Sequence, residues 1–339
     1  MRDARTLMVA AISSLGGALT AGCGHWTWVP PSATRRMAIP NGTIHNDLFS
    51  SASLGVAKHL VVYLPAGYDR DTSQRFPVAY YLHGLGGAEA DWVAKGGIDA
   101  AADSLFNRGT SEMIIVMPDG DDGWYTTWAT QLAYRTCADT VHNEAPFSFC
   151  VEHQRYDDYI ARDVVRYVDS HYRTQADRAH RGIGGFSMGG YGALSIALRY
   201  PEVFSAAASH SGVVSPLYLG PHPYAAPANL ATEADILRPA AATYWARYQM
   251  YWGSDLERWR AADPAHEAEL VVRHGARMPA LFIDCGTEDA LLDQNRALHA
   301  ELTRLRVRHE YAEWPGGHTW RYWSTHVRES LEWMGRKIG

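Results

Sequence analysis

One serine in this chain is crowded by glycines: residues 184–195 read GGFSMGGYGALS, with Gly185 and Gly189 two positions either side of Ser187. The G-x-S-x-G spacing suits a sharp turn from a strand into a helix. There a strained backbone lifts a hydroxyl above a sheet and leaves no room for neighbouring side chains. Such a serine attacks carbonyl carbon, provided a base takes its proton and a third group holds the base. In sheets with this turn the chain order is serine, acid, histidine. Downstream, FIDCGTEDALLD (282–293) carries acids into a loop after an apolar run, and WPGGHTW (314–320) carries His318 into another. Among 16 histidines His318 is the candidate base, because two preceding glycines let the backbone bring its ring toward a neighbour. Asp289 is the candidate acid; Asp284 still belongs to the apolar run, and Glu288 can point away.

A tetrahedral intermediate needs two N–H donors where negative charge develops. One is expected from Met188, the residue after the nucleophile. The other is expected from the loop His83-Gly84-Leu85-Gly86-Gly87, with Leu85 N–H preferred and Gly84 the alternative; His83 reads as a brace for that loop. Competing chemistries fit poorly. From Gly182 the chain reads GIGGFS, with serine where a dinucleotide fingerprint needs its last glycine. No lysine precedes the helix as a phosphate-cradling loop requires. No C-x-x-C or His/Cys cluster has zinc spacing, so no metal and no cofactor are expected. Asp119, Asp121 and Asp122 lack calcium-loop spacing and read as a polar turn.

These residues must be positioned by regular elements. HLVVYLP (59–65), PVAYYLHG (77–84), MIIVMPDG (113–120), HRGIGGFS (180–187), FSAAASHSG (204–212), PALFIDCG (279–286) and HEYAEWPGG (309–317) are short apolar runs closed by Pro, Gly or Ser, as buried strands are. Between them lie helical rhythms. In 156–172, Ile160, Val164, Tyr167 and Val168 share one face; after Ser187, Tyr191, Leu194, Ala197 and Leu198 do the same until Pro201. Strands alternating with helices predict an α/β fold, a mostly parallel central sheet covered by helices on both faces, with chemistry beyond the strands' carboxyl ends. At 339 residues and 47% hydrophobic, the chain can bury a large core. A net charge of −6 with no long basic run disfavours nucleic acid and anionic membrane surfaces as partners.

LHGLGG, the DGWYTTW after MIIVMP, GFSMGGYGAL, DCGTEDALLDQNRALH and WPGGHTW, in this order, resemble the esterase D family of α/β-hydrolases over about residues 50 to 335. That family includes feruloyl and acetyl esterases, S-formylglutathione hydrolases and mycolyltransferases. The resemblance implies an α/β-hydrolase fold and the same residues that the spacing selects: Ser187 as nucleophile, Asp289 as acid, His318 as base, Leu85 and Met188 as oxyanion donors. Residues 129–155 depart from shorter members and read as an insertion near the entrance to the site. A segment from about 214 to 274, rich in Tyr and Trp, resembles a small helical cap.

The substrate side is less determined. Trp124, Tyr125 and Trp128 either wall the pocket, stacking on a sugar face or aromatic acyl group, or pack beneath the insertion. At the N-terminus, Arg2 and Arg5 precede an apolar run to about Ala21, which reads as a signal peptide over 1–23. Cys23 follows Leu19-Thr20-Ala21-Gly22, similar to a lipoprotein cleavage box apart from Thr20, so lipidation of Cys23 is an expectation. A proline-containing linker over 24–43 and a catalytic domain over 44–339 complete the organisation. In the exported, oxidising setting this predicts, Cys137 and Cys150 are the natural disulfide pair. The expected activity is an exported carboxylesterase acting on a small-acyl or aromatic-acyl ester, carbohydrate-linked in one version. Acyl transfer to a sugar or lipid alcohol and a non-catalytic binding role are the alternatives.

Overall fold

The computed structural model describes residues 41–135, 150–237 and 243–339. The expected signal peptide, Cys23, most of the linker and Cys137 lie outside the described residues, and Cys150 at their border is buried. All seven apolar runs form strands. They appear as β2 (Ala57–Leu64), β3 (Val78–Leu82), β4 (Ile114–Pro118), β5 (Arg181–Phe186), β6 (Ala206–His210), β9 (Ala280–Gly286) and β10 (His309–Trp314). Three further strands are β1 (Thr43–Ser50) and the separate ribbon of β7 (Tyr218–Gly220) with β8 (Asn229–Leu230). β1 begins where a linker was expected. It lies at the sheet edge and is exposed along most of its length, so no apolar alternation marks it.

The eight-stranded sheet runs β1-β2-β4-β3-β5-β6-β9-β10. β2 is antiparallel to both neighbours, and every pairing from β4 to β10 is parallel. The central register Tyr80↔Ile183↔Ala207↔Leu281 brings the carboxyl ends of β3, β5, β6 and β9 to one rim. Because side chains alternate across a strand, Leu60, Val62, Tyr80, Val116 and Ile183 enter one core, while Val61, Tyr63, Tyr81, Ile115 and Met117 enter the other.

Helices cover both faces. On the second face lie α1 (Ile98–Phe106) and, at the chain end, α8 (Trp320–Ile338), whose Trp323, Val327, Leu331, Met334 and Ile338 recur at helical spacing. On the first lie α2 (156–171, with a π turn over Tyr159–Val164), α3 (Met188–Arg199) and α7 (Leu292–Arg304). Burying each Leu, Ile, Val or Phe contributes about 1.5–3 kcal/mol. The helical cap comprises α4 (Thr243–Trp252), α5 (Leu256–Ala261) and α6 (Pro264–Arg273). It docks on α3 through buried Glu267, which accepts from Ser195 Oγ at 2.7 Å and pairs with Arg199 Nε at 3.2 Å.

Candidate active site

Ser187 links the end of β5 to the start of α3 with φ 54° and ψ −119°, a left-handed backbone for a non-glycine residue. Such strain costs about 1–3 kcal/mol and persists only where surroundings over-determine it. Here Ser187 N–H donates to His210 O at 3.0 Å, and Ser187 O accepts from Tyr191 N–H at 3.1 Å and Val213 N–H at 3.2 Å. The flanking glycines are required by space. A Cβ on Gly185 would lie 2.4 Å from Gly189 O, and one on Gly189 would lie 2.4 Å from Leu82 O.

His318 stands between the other two. Its Nε2 is 2.9 Å from Ser187 Oγ and its Nδ1 is 2.9 Å from Asp289 Oδ2. Asp289 Oδ1 accepts from Leu291 N–H at 2.9 Å. Burial would raise the Asp289 carboxyl, but the hydrogen bond from His318, that from Leu291 N–H and the charge interaction with His318 prevail and hold it below the ordinary carboxylate range. With Asp289 accepting at Nδ1–H, Nε2 is left to accept the serine proton. The His318 loop is also sewn to the acid loop: Gly316 takes φ 136°, its carbonyl accepts from Glu288 N–H at 2.9 Å, and a Cβ on Gly286 would lie 2.1 Å from that carbonyl. Gly316 is therefore required by its backbone dihedral and Gly286 by the close approach, while a Cβ on Gly317 would meet only ordinary contacts.

The two oxyanion candidates follow neighbouring strands, since Leu82 pairs with Gly185. Met188 is the first residue of α3 and fully buried, where helix-end N–H groups favour negative charge. Leu85 is exposed on a tight turn closed by Gly87 N–H to Gly84 O at 3.0 Å, with Gly86 at φ 70°. Asp122 pins this turn by accepting Gly86 N–H at 2.6 Å. His83 braces it from beneath: buried, it lies 2.9 Å from Gly84 O through Nδ1 and accepts Gly120 N–H through Nε2 at 2.9 Å.

Asp119 and Asp121 form more than the expected polar turn. Both pair with Lys58 Nζ at 2.6 Å, with Lys58 1% exposed, and Tyr156 OH donates to Asp121 at 2.8 Å. Burial, then the charge of Asp119, pushes Asp121 up to about 7. No local pattern marks Lys58, because its partners lie far along the chain, Asp121 by 63 residues. Trp124, Tyr125 and Trp128 are all buried, which favours packing over an open pocket wall. Tyr125 OH donates to His83 O at 3.0 Å, Trp128 Nε1 donates to Gly123 O at 2.9 Å, and Trp124 packs among Tyr191, Tyr248, Tyr251 and Trp252.

A second histidine escaped the sequence reading. His210, at the end of β6, has Nδ1 2.6 Å from Asp284 Oδ2 and Nε2 2.8 Å from Ser330 Oγ, and all three residues are fully buried. Its signal would have been a histidine closing an otherwise alanine-rich buried strand. Asp284, set aside as the acid, is in register with it.

Comparison with known proteins places this geometry in context. The model of the family described as "Putative esterase" matches residues 51–334. An esterase of Mycobacterium tuberculosis (strain CDC 1551 / Oshkosh) is 28% identical over 293 residues, 80% of this chain and 55% of that protein; the chain thus spans about half the length of that relative. An acetyl esterase of Caldicellulosiruptor saccharolyticus is 24% identical over 268 residues, covering 78% of this chain and 85% of its own. The solved structure of an S-formylglutathione hydrolase from Agrobacterium tumefaciens shares the fold, with TM-score 0.65 and 22% identity over 88% of this chain and 97% of that one.

Proposed function

We propose that this chain, which belongs to the esterase family, is a serine carboxylesterase whose reacting residues are Ser187, His318 and Asp289. One observation carries the reading: His318 bridges Ser187 Oγ and Asp289 Oδ2 at 2.9 Å on each side. Ser187 Oγ attacks the ester carbonyl as His318 Nε2 takes its proton. Asp289 orients the ring and stabilises the imidazolium, and the N–H groups of Leu85 and Met188 stabilise the oxyanion. His318 then returns the proton to the departing alcohol, leaving an acyl-serine. Water, deprotonated by His318, attacks that ester; the acyl–Oγ bond breaks, the acid leaves and His318 returns the proton to Ser187 Oγ.

For the substrate, we propose a small-acyl or aromatic-acyl ester of a carbohydrate-like alcohol. Two features support it. Acetyl and feruloyl esterases are named among the relatives. A recess of about 430 Å³ beside the Gly86 turn, lined by Glu89, Asp91, Lys95 and Asp122, offers carboxylates to which sugar hydroxyls can donate. Export, lipidation of Cys23 and a Cys137–Cys150 disulfide complete the reading on the sequence pattern alone. The test is Ser187→Ala assayed on 4-nitrophenyl acetate and on acetylated and feruloylated sugars. Loss of hydrolysis with the fold retained is expected, and a variant that kept most of its activity would overturn the assignment.

A further inference from the structure

Beneath the proposed catalytic residues, one buried carboxylate is linked, directly or through His210, to the segments that carry all three. Asp284 Oδ2 lies 2.6 Å from His210 Nδ1, and Oδ1 accepts from Tyr322 OH at 2.8 Å. Its own main-chain carbonyl accepts Ser211 N–H at 2.7 Å. Asp284 belongs to β9, which leads into the Asp289 loop. Tyr322 opens α8 just after His318, and Tyr322 N–H donates to Thr319 O at 3.0 Å. His210 ends β6, and its main-chain carbonyl accepts the amide of Ser187.

The His210 ring is gripped from every side. Ser330 Oγ, on α8, lies 2.8 Å from Nε2 and 2.9 Å from Tyr81 OH on β3. Ser330 Oγ also lies 3.0 Å from Val327 O one turn back on α8, so this hydroxyl is held at three points. Trp92 and Phe282 pack edge-on against the imidazole with centroids 6.2 and 6.1 Å away. The next residue, Ser211, takes φ 46°, so the strained turn after His210 adjoins the strained turn at Ser187.

A fully buried histidine with a buried aspartate is costly unless its hydrogen bonds are complete, and a hydrophobic residue would fill the site more simply. What the polar set adds is a fixed height and direction for the His210 carbonyl. We infer that His210 is a positioning residue for the nucleophile, held by Asp284 and Ser330 so that its main-chain carbonyl keeps the Ser187 amide, and with it Oγ, in the attacking geometry. This rests on the reading of Ser187 as nucleophile. His210 itself touches no reacting atom.

The experiment measures steady-state kinetics on 4-nitrophenyl acetate, the rate of Ser187 labelling by a fluorophosphonate, and active-site titration, for wild type, Ser187→Ala, His210→Leu, His210→Asn and Ser330→Ala. His210→Leu is expected to lower kcat and the labelling rate roughly 100-fold, the scale of a misplaced reacting atom, with KM within about twofold. His210→Asn, which keeps a polar side chain beside Asp284, is expected to restore most of that loss. Ser330→Ala removes one anchor without adding bulk and keeps the test open if His210→Leu does not fold; a few-fold fall in kcat and labelling rate at unchanged KM is expected. Wild-type turnover per titrated site in folded His210 and Ser330 variants, or a loss confined to KM, overturns the positioning role while Ser187→Ala remains inactive. Retained activity in Ser187→Ala overturns the underlying reading as well.

Discussion

Among the described residues, serine, histidine and aspartate are brought together at two sites. His318 lies 2.9 Å from Ser187 and 2.9 Å from Asp289; His210 lies 2.8 Å from Ser330 and 2.6 Å from Asp284. Side-chain distances alone do not distinguish them. The first histidine is 36% exposed and its serine sits on a strained strand-to-helix turn; the second histidine is fully buried and its serine lies inside α8. The surroundings of the two hydroxyls differ as well. Ser330 Oγ is enclosed by His210, Tyr81 and Val327 O, whereas Ser187 Oγ faces the imidazole nitrogen that Asp289 leaves free to accept. On the proposed reading, access to the serine sets the catalytic array apart, while the same three residue types, closed off, hold a main-chain carbonyl in place.

The largest expected effect separates the two serines. Ser187→Ala should lower kcat on an aryl ester about 10⁶-fold if the triad acts as a unit, against the few-fold loss expected of Ser330→Ala. Steady-state assays of the two variants side by side check this, and comparable losses would erase the distinction. The two aspartates should split by kind of damage. Asp289→Asn is expected to lower kcat about 10⁴-fold by mis-setting the His318 tautomer while moving the urea midpoint little. Asp284→Ala leaves a buried imidazole without its partner and should cost about 3–5 kcal/mol of stability. Urea unfolding and kcat on the same preparations measure both, and a less stable Asp289→Asn than Asp284→Ala would invert the roles.

A backbone change sharpens the contrast without touching any of the six side chains. Gly286→Ala would drive a Cβ to 2.1 Å from Gly316 O, at the seam that joins the acid loop to the His318 loop. Because His318 is carried by that seam and His210 is not, kcat should fall about 10²-fold, the scale of a reacting group displaced by about 1 Å. The aryl-ester assay reads the loss, and unfolding in urea reads whether the buried His210 cluster is kept.

The proposed catalytic array was legible in the sequence and the buried His210 cluster was not, for physical reasons. Ser187, Asp289 and His318 each follow a short apolar run and sit by glycines that a sharp turn or close approach demands, so each left a local trace. Strands such as VAYYL of β3, buried on both sides, are equally plain as continuous apolar runs. His210 depends on Asp284 across a strand pairing and on Ser330, 120 residues away, and nothing near it in the chain records either. Lys58 is hidden in the same manner behind Asp119 and Asp121. β1 escaped because an exposed edge strand needs no apolar period. Trp124, Tyr125 and Trp128 are ambiguous in sequence between pocket and core, because an aromatic cluster has the same composition in either place; Trp124 and Trp128 pack against the distant helix α4.

The smallest expected effect concerns acid stability. The Asp289 carboxyl titrates below the ordinary range in the folded chain, because hydrogen bonds from His318 and Leu291 N–H outweigh the burial that would raise it. An unfolded aspartate titrates near 3.9. Between the folded and unfolded values the unfolded chain binds more protons, so stability rises with pH. The contribution is complete above about pH 4 and is lost as pH falls through the folded value. Asp121 has the opposite sign: burial and the charge of Asp119 push it up to about 7, so the folded chain binds more protons between about 3.9 and 7 and stability falls as pH rises across that interval. Urea unfolding of wild type, Asp289→Asn and Asp121→Asn from pH 3 to pH 8 measures both. The wild-type advantage over Asp289→Asn should shrink toward the acid end, and the Asp121→Asn curve should lose part of the wild-type decline between pH 4 and pH 7. An advantage over Asp289→Asn that grew on acidification would mean that Asp289 is held protonated in the folded chain, leaving His318 without the carboxylate acceptor that sets its tautomer.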